Sequence, residues 1–468
     1  MITNIIIGNY QKAEKLFKKL LKRNREKLGE RHPDTLNTMN NLAHAYRKQG
    51  KYSDAEVLYK QCLEKRKVLL GENDPATLCT MSKLAAAYND QRKYSEAEVL
   101  HKQYLAKKKG ALGENHPDTL VAMTDLAATN SNQGKYSDAE VLFKQCLAKQ
   151  KAVLGPEHLS TLSTMSNLAV TYRAQGKYNE AAILHKQCLD AKKVVLGENH
   201  PSTLDAIYKL ARVYDCQCKH REAEVLFKIC LDKMKTVLGL EHPDTLRTMS
   251  CLAIAYDNQH KHCEAKVLFK ICLEKMKVVL GESHPDTLDA MSNLAYAYTH
   301  QGKDREVEVL YKQCLDKMKI VLGENHLDTL DTMSNLADTY NRQGKHSDAE
   351  VLYKQCLDKR KVVLGENHPD TLDTMSNLAV VYGHQDKDSD AEVLFKQCLD
   401  KRKLVLGESH HDTLRNMNGL ATAYDNQHKH SKAKVLLKQC LAKQKVVLGE
   451  SHPHTLDTKN KLARHTKI

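Results

Sequence analysis

Tryptophan is absent, and aromatic residues make up only 5% of the 468-residue chain. Nine prolines and 20 glycines are too few for collagen-like or low-complexity material, and a hydrophobic share of 41% argues against disorder. No uninterrupted apolar run approaches the roughly 20 residues of a membrane span, so no membrane role is expected. The opening Met1-Ile2-Thr3-Asn4-Ile5-Ile6-Ile7-Gly8 has no basic segment, and its apolar run is too short for a secretory signal. The expected compartment is therefore a reducing cytoplasm, where the 14 cysteines are read as thiols. Catalytic signatures are missing too. There is no phosphate-binding glycine loop, no nucleophile elbow, no HExxH and no carboxylate pair at a unique position, so neither an enzyme nor a cofactor is expected.

The net charge of +14 is unevenly spread. Residues 1–28 carry eight Lys/Arg against two Glu, a net +6, and residues 449–468 carry +2. The 420 residues between them share only +6, so the centre has no basic stripe. A nucleic-acid binder using the lysines of the second helix of each repeat together with the basic N-terminal helix of Lys12, Lys15, Lys18, Lys19, Lys22, Arg23, Arg25 and Lys27 is accordingly the weaker reading, since stacking tryptophans are also lacking.

What the chain does have is repetition. Leu-Gly, usually followed by Glu, recurs from Gly29 to Gly449 at a constant step of 42 residues, and Thr-Leu follows each glycine, from Thr35-Leu36 to Thr455-Leu456. A single array therefore replaces the roughly three domains that this length would otherwise suggest. In repeat one, Leu36, Met39, Leu42, Ala43 and Tyr46 fall at helical spacing. Gln49-Gly50-Lys51 marks a turn, and Tyr52, Ala55, Leu58, Tyr59, Cys62 and Leu63 repeat the pattern in a second helix. His32-Pro33-Asp34-Thr35 opens the first helix with proline and an acid, which suit its positive end. Each repeat is thus predicted to be a hairpin of helix A and helix B. Neither helix can bury its apolar face alone, so hairpins must stack.

The small and aromatic residues at Ala43, Tyr46, Ala55, Tyr59 and Cys62 have tetratricopeptide (TPR) spacing. The connecting Leu-Gly-Glu-Asn-His-Pro-Asp-Thr-Leu at 364–372 and the Asn-Leu-Ala-x-x-Tyr-x-x-Gln-Gly-Lys at 293–303 resemble the long TPRs of kinesin light chains. That resemblance implies an all-α TPR superhelical solenoid of antiparallel helix pairs. The expected layout is a half-repeat at 1–28, ten repeats at 29–448 and a capping half-repeat at 449–468 with polar Lys459 and Thr466. The chain departs from that family in lacking a heptad stretch and in opening directly in a B helix (Tyr10, Ala13, Phe17, Leu20).

The resemblance also implies a protein-interaction scaffold and microtubule motor adaptor that binds a linear peptide along the concave A-helix face. Its implied partners are kinesin heavy chain or cargo adaptors, and cytoskeletal association would follow. A further alternative is the sensor fragment of a signalling ATPase. In repeat one the groove-facing residues are expected to be Asn37, Asn40, Asn41, His44, Arg47 and Lys48. The asparagine that clamps a peptide backbone in that family corresponds to Asn41, Asn167, Asn293, Asn335 and Asn377, and an amide can both donate and accept there. Arg47, Lys83, Arg173, Lys209 and Arg212 complete the candidate peptide-binding set in the first half, which would suit an acidic peptide. The later repeats offer Asp289, Asp331, Asp338 and Asp373 with only Arg342 opposing, and would suit a basic or neutral one.

Two regular rows and one cluster are read structurally. Ten histidines, from His32 to His452, stand before helix A with Asp74 in the eleventh place, in a packing or capping role. Nine cysteines, from Cys62 to Cys440, occupy a small buried position. Cys216, Cys218, His220, His260, His262 and Cys263 are stereochemically conceivable as a zinc site, but His220 and His262 stand in the packing place of Tyr52, so no metal is expected.

Overall fold

The structure, a computed structural model, describes residues 10–299 and 301–464. Thr466 and the end of the last helix expected near His465 lie outside the described residues. Among the described residues there are helices and turns and no strand. The first helix, α1 (Tyr10–Leu28), is of type B, and repeat one supplies α2 (Pro33–Lys48) and α3 (Tyr52–Leu70). The alternation continues through α4 (Pro75–Asp90) and α5 (Tyr94–Leu112) to α20 (His411–Asn426), α21 (His430–Val447) and α22 (Pro453–Arg464). The chain divides into two compact bodies, Met1–Ala297 with Ile320–Leu322, and Tyr298–Lys319 with Gly323–Ile468.

Local chemistry explains where each helix starts and stops. His32 Nδ1 accepts the backbone N–H of Asp34 at 3.2 Å, and the other nine histidines of that row do the same two residues on. Asp74 takes the role with Oδ1 at 2.8 Å. The histidine row is thus a row of N-caps. The recurring threonine also has a job: Thr35 Oγ1 donates to Gly29 O at 2.9 Å, and Thr161, Thr203, Thr245, Thr329, Thr371 and Thr413 repeat the bond. Helix A ends in a left-handed turn, supplied by Gly50 (φ +74°) in repeat one. Arg92, Cys218, His260, Asp386 and His428 are forced into the same conformation with φ of 57–62°.

The core lies between the two helix layers. Leu36, Met39, Ala43, Ala55, Tyr59 and Cys62 are fully or almost fully buried in repeat one. All nine cysteines of the row are 0% exposed, and Cys62 Sγ donates to Leu36 O at 3.3 Å. Burial pushes the thiols of Cys62, Cys146, Cys188, Cys356 and Cys398 up, and those of Cys230, Cys272 and Cys440 up to about 12, so they act as inert small packing groups. Tyr46 differs from its expected place on the apolar stripe. It is half-buried, with Lys18 and Lys51 over its ring at 5.4 and 5.5 Å.

Where a B helix carries a glutamate at the place of Glu56, it is pinned to the next repeat by a polar clamp; Ala182, Lys266 and Lys434 stand there in three repeats. Glu56 accepts from Lys60 at 2.6 Å within its helix and from Lys93 at 2.8 Å in the next repeat, and both lysines lie over Tyr88. Burial would raise the Glu56 pKa, but bonds from Lys60, Lys93 and Gln91 pull it down to about 2. The 37-residue pairing recurs at Glu14–Lys51, Glu98–Lys135, Glu140–Lys177, Glu224–Lys261, Glu308–Lys345, Glu350–Lys387 and Glu392–Lys429.

Within the first body the stack returns to its own start. A Cβ on Gly50 would lie 2.4 Å from Pro285 Cδ, and His284 Nε2 stands 3.4 Å from Lys48 O. A cavity of about 690 Å³ opens beside this contact, lined by Tyr10, Gln49, Leu238, Val279 and His284 among others.

Candidate functional site: the inward face of the A helices

Successive A helices approach one another and bond directly. Thr124 and Thr164 hydroxyls are 3.0 Å apart, Ser131 and Thr171 3.0 Å, and Asn416 Nδ2 donates to Ser376 at 2.8 Å. The A layer is therefore the inner layer of each body, and its outward-pointing polar positions line the inside of the curve.

The candidate asparagines at 41, 167, 293, 335 and 377 are all half-buried. Asn293 Nδ2 donates to Ser250 at 3.3 Å. The side-chain amides of Asn41, Asn167, Asn335 and Asn377 make no hydrogen bond among the described residues, although each stands on a stably packed helix. Such amides keep a hydrogen-bond donor and an acceptor unused. Asn40, expected beside them, is instead buried at 5% exposure, because it faces the packed side of α2.

The first body's cations are partly committed. Arg47 pairs with Asp90 at 3.2 Å, and Lys209 with Asp205 at 2.8 Å and with Ser166 at 3.3 Å. Arg173 reaches Cys216 Sγ at 3.9 Å, and Arg212 lies over Tyr208 at 5.9 Å. Lys83 is half-buried with no ion pair among the described residues. Near it His44 is held neutral, its pKa pushed down to about 4 by burial and then by Arg47, Lys48 and Lys83. In repeat three the place of Asn41 is taken by Asp125, whose pKa burial alone raises to about 6. Its carboxylate has no protein partner among the described residues.

The second body corrects the sequence-based picture of an acidic stretch opposed only by Arg342. Arg360 bonds Asp331, and Arg402 bonds Asp373, which Arg415 also meets at 2.8 Å. Arg402 is 1% exposed and also donates to Asp412 O at 2.5 Å. Asp338 accepts the Tyr353 hydroxyl. Arg360 and Arg402 sit on B helices and reach the A layer through the core, which is why the pattern along helix A alone did not reveal them. Arg66 makes the same connection in repeat one, donating to Asn37 at 2.6 Å and Thr80 at 2.7 Å.

The irregular Cys/His cluster is built differently from a metal centre. His220 Nδ1 meets Asp215 at 2.7 Å, and His262 Nδ1 meets Asp257 at 2.7 Å. No group of three or more His, Cys, Asp or Glu among the described residues is placed to hold a metal ion. Among those residues no helix is long and apolar enough to cross a membrane.

A stack of antiparallel helix pairs with a polar inner layer defines a helical-repeat interaction scaffold. The tetratricopeptide repeat family matches residues 4–67, 77–193 and 244–403 in overlapping segments, and again at 203–244 and 413–454. The chain belongs to that family. Among solved structures it is similar to the nearly identical TPR-like repeats of a Podosopora anserina protein named as a kinesin light chain. The identity is 29% over 44% of this chain and 97% of that one, with a TM-score of 0.36. It is also similar to BtubC (BKLC) from P. vanneervenii, 19% identical over 50% of this chain and 91% of that one, with a TM-score of 0.37. A Rap protein complexed with Competence and Sporulation Factor shares the fold at 13% identity, covering 83% of this chain and 99% of that one, with a TM-score of 0.54. No curated protein matches the chain.

Proposed function

We propose that the protein holds an extended segment of a partner protein along the inner A-helix face. It would work in the cytoplasm as ten modules flanked by half-repeats at 1–28 and 449–468. On this reading the partner is a cargo adaptor or a kinesin heavy chain, as in the family that the long repeats resemble. The observation that carries it is the set of amides at Asn41, Asn167, Asn335 and Asn377, which occupy one repeated inward position without a hydrogen-bond partner among the described residues. Asparagine is a poor interior helix former, so packing and propensity give no reason to keep it there. The repeated outer lysines favour a protein partner over nucleic acid, because Lys60, Lys102, Lys144, Lys228, Lys312, Lys354 and Lys396 are spent on glutamates.

The test is capture of partners from a cytosolic extract by the full chain and by an Asn41→Ala/Asn167→Ala/Asn335→Ala/Asn377→Ala variant. The expected result is loss of the main captured proteins while the helical signal and thermal midpoint stay within the small range of surface substitutions, about ±0.5 kcal/mol per site. Unchanged capture by a folded variant would overturn the groove assignment.

A further inference from the structure

The turn that ends helix A of repeat five carries chemistry that neither the stack nor the inner face uses. Nine of the 14 cysteines are buried in the core row, whereas Cys218 is exposed. It stands in the place of Gly50 with φ of +58°, a conformation that disfavours any β-carbon. In the other nine repeats this place holds Gly, Arg, His or Asp, and a thiol occurs only here. Backbone geometry therefore gives no reason for a cysteine.

Just beyond it, His220 opens α11 (His220–Val237). Its Nδ1 lies 2.7 Å from Asp215 Oδ1, and the Cys218 thiol is hydrogen-bonded to the same imidazole. Asp215 is held in turn from the next repeat, by Asn258 Nδ2 at 3.2 Å, at the end of α12 (Pro243–Asp257). The bonds from Asp215 and then Cys218 raise the His220 pKa to about 9, so the ring is charged at neutral pH. The other charged and titratable groups at this turn are Lys219, over Tyr214 at 5.7 Å, and Cys216, which Arg173 of α8 (Leu159–Ala174) approaches at 3.9 Å. Repeats six and ten build the same turn, with Asp257–His262 at 2.7 Å and Asp425–His430 at 3.3 Å, and there His260 and His428 stand where Cys218 does. The acid–imidazole pair is thus a recurring frame, and repeat five puts a sulfur against it.

We propose that Cys218 is a site of reversible modification, a thiol activated by His220 and, through it, by Asp215, that exchanges with small disulfides. An imidazolium beside a thiol stabilises the thiolate, which is the attacking species. In the exchange the Cys218 S–H gives up its proton, the sulfur attacks one sulfur of the disulfide, and that S–S bond breaks. A mixed disulfide forms on Cys218, and the departing sulfur takes up a proton and leaves as a thiol. One disulfide is consumed and one is made, so no further oxidant or reductant is needed. The exposed turn admits the reagent, while the buried row from Cys62 to Cys440 is closed to it.

The probe is 4,4′-dithiodipyridine, added to the full chain between about pH 6 and 8, with acid-quenched samples mapped by peptide mass spectrometry. Cys218 should be modified about tenfold faster than the exposed Cys79, with the gap widening towards the acid end, and dithiothreitol should reverse the change. His220→Tyr installs the residue that Tyr52 supplies at the same place, so the fold should stay intact by circular dichroism while Cys218 slows to the rate of Cys79. Asp215→Asn should slow Cys218 in the same direction and leave Cys79 unchanged. Cys218→Gly restores the usual turn residue and should abolish the fast reaction. Equal rates at Cys218 and Cys79, an unchanged Cys218 rate in folded His220→Tyr, or a fast reaction that survives Cys218→Gly would each overturn the proposal.

Discussion

On the B helices Glu14, Glu56, Glu98 and Glu140 each meet the lysine 37 residues on, with bonds of 2.6–2.8 Å throughout. On the A helices one inward position of the first body reads Asn41, Lys83, Asp125, Asn167, Lys209, Cys251 and Asn293. The clamp residues hold neighbouring repeats together, and identical interfaces need identical chemistry. The inward position has no such shared contact: Lys209 and Asn293 reach Ser166 and Ser250 of the preceding A helix, Cys251 meets Tyr208, and Asn41 and Asn167 bond nothing among the described residues, so no common interface fixes its identity. Uniform residues therefore report the stack, and variable ones report what the stack is for.

The largest effect should come from disrupting a link through the core. Arg402→Ala removes a buried guanidinium and its charge-assisted bonds to Asp373 and to Asp412 O, leaving Asp373 only Arg415, at a cost of about 3–5 kcal/mol. Lys93→Ala, which breaks an exposed arm of the clamp, should stay below about 1 kcal/mol. Paired denaturant titrations measure both, and equal losses would erase the distinction between core link and surface clamp.

Acid should separate the bodies of the repeats next. His101 and His185 fill the aromatic place of Tyr59, are 2% and 1% exposed, and burial lowers their pKa to about 4. Because the folded value lies below the unfolded 6.5, their stability contribution is complete above pH 6.5 and is lost as pH falls towards 4. The loss approaches about 3 kcal/mol per residue. His101→Phe/His185→Phe should remove most of that acid sensitivity in thermal melts across this range.

Asp125 should behave oppositely. Its folded pKa of about 6 exceeds the usual 3.8, so the charged form is a burden at neutral pH that disappears as pH falls through 6 to 3.8. Asp125→Asn is expected to stabilise at pH 7 by about 1–2 kcal/mol after allowance for partial solvent access, with no gain at pH 3.5 or so. A destabilised variant would mean that Asp125 belongs to the stack rather than to the variable face. The smallest effect is in the turns: Arg92→Gly relieves a left-handed residue at φ 57° and should add up to about 1 kcal/mol.

Much of the fold was legible in the sequence because the repeat exposes its own roles. The apolar stripe of Leu36, Met39 and Leu42, the turn at Gly50 and the buried Cys62 all stand where periodicity placed them. The histidine row was narrowed to packing or capping, and the Nδ1 bonds decide for capping. Glu56 and Lys93 were passed over, although a constant 37-residue offset of opposite charges was available as a signal. Arg360 and Arg402 were harder to read. They lie 29 residues from Asp331 and Asp373 on another helix, and only three-dimensional packing makes those neighbours. That is why the acidity of the later A helices was overstated. The inner face itself was legible as a position and not as a partner, since free amides specify hydrogen bonds rather than the molecule that makes them.

The single spacing of the glutamate–lysine clamp has a consequence for how such a molecule can change over generations. Any B helix carrying the glutamate can accept any A–B pair that follows with the lysine, so unequal exchange between gene copies can add or delete one whole module without redesigning a junction. The reach of the protein is then an inherited count, adjustable one step at a time.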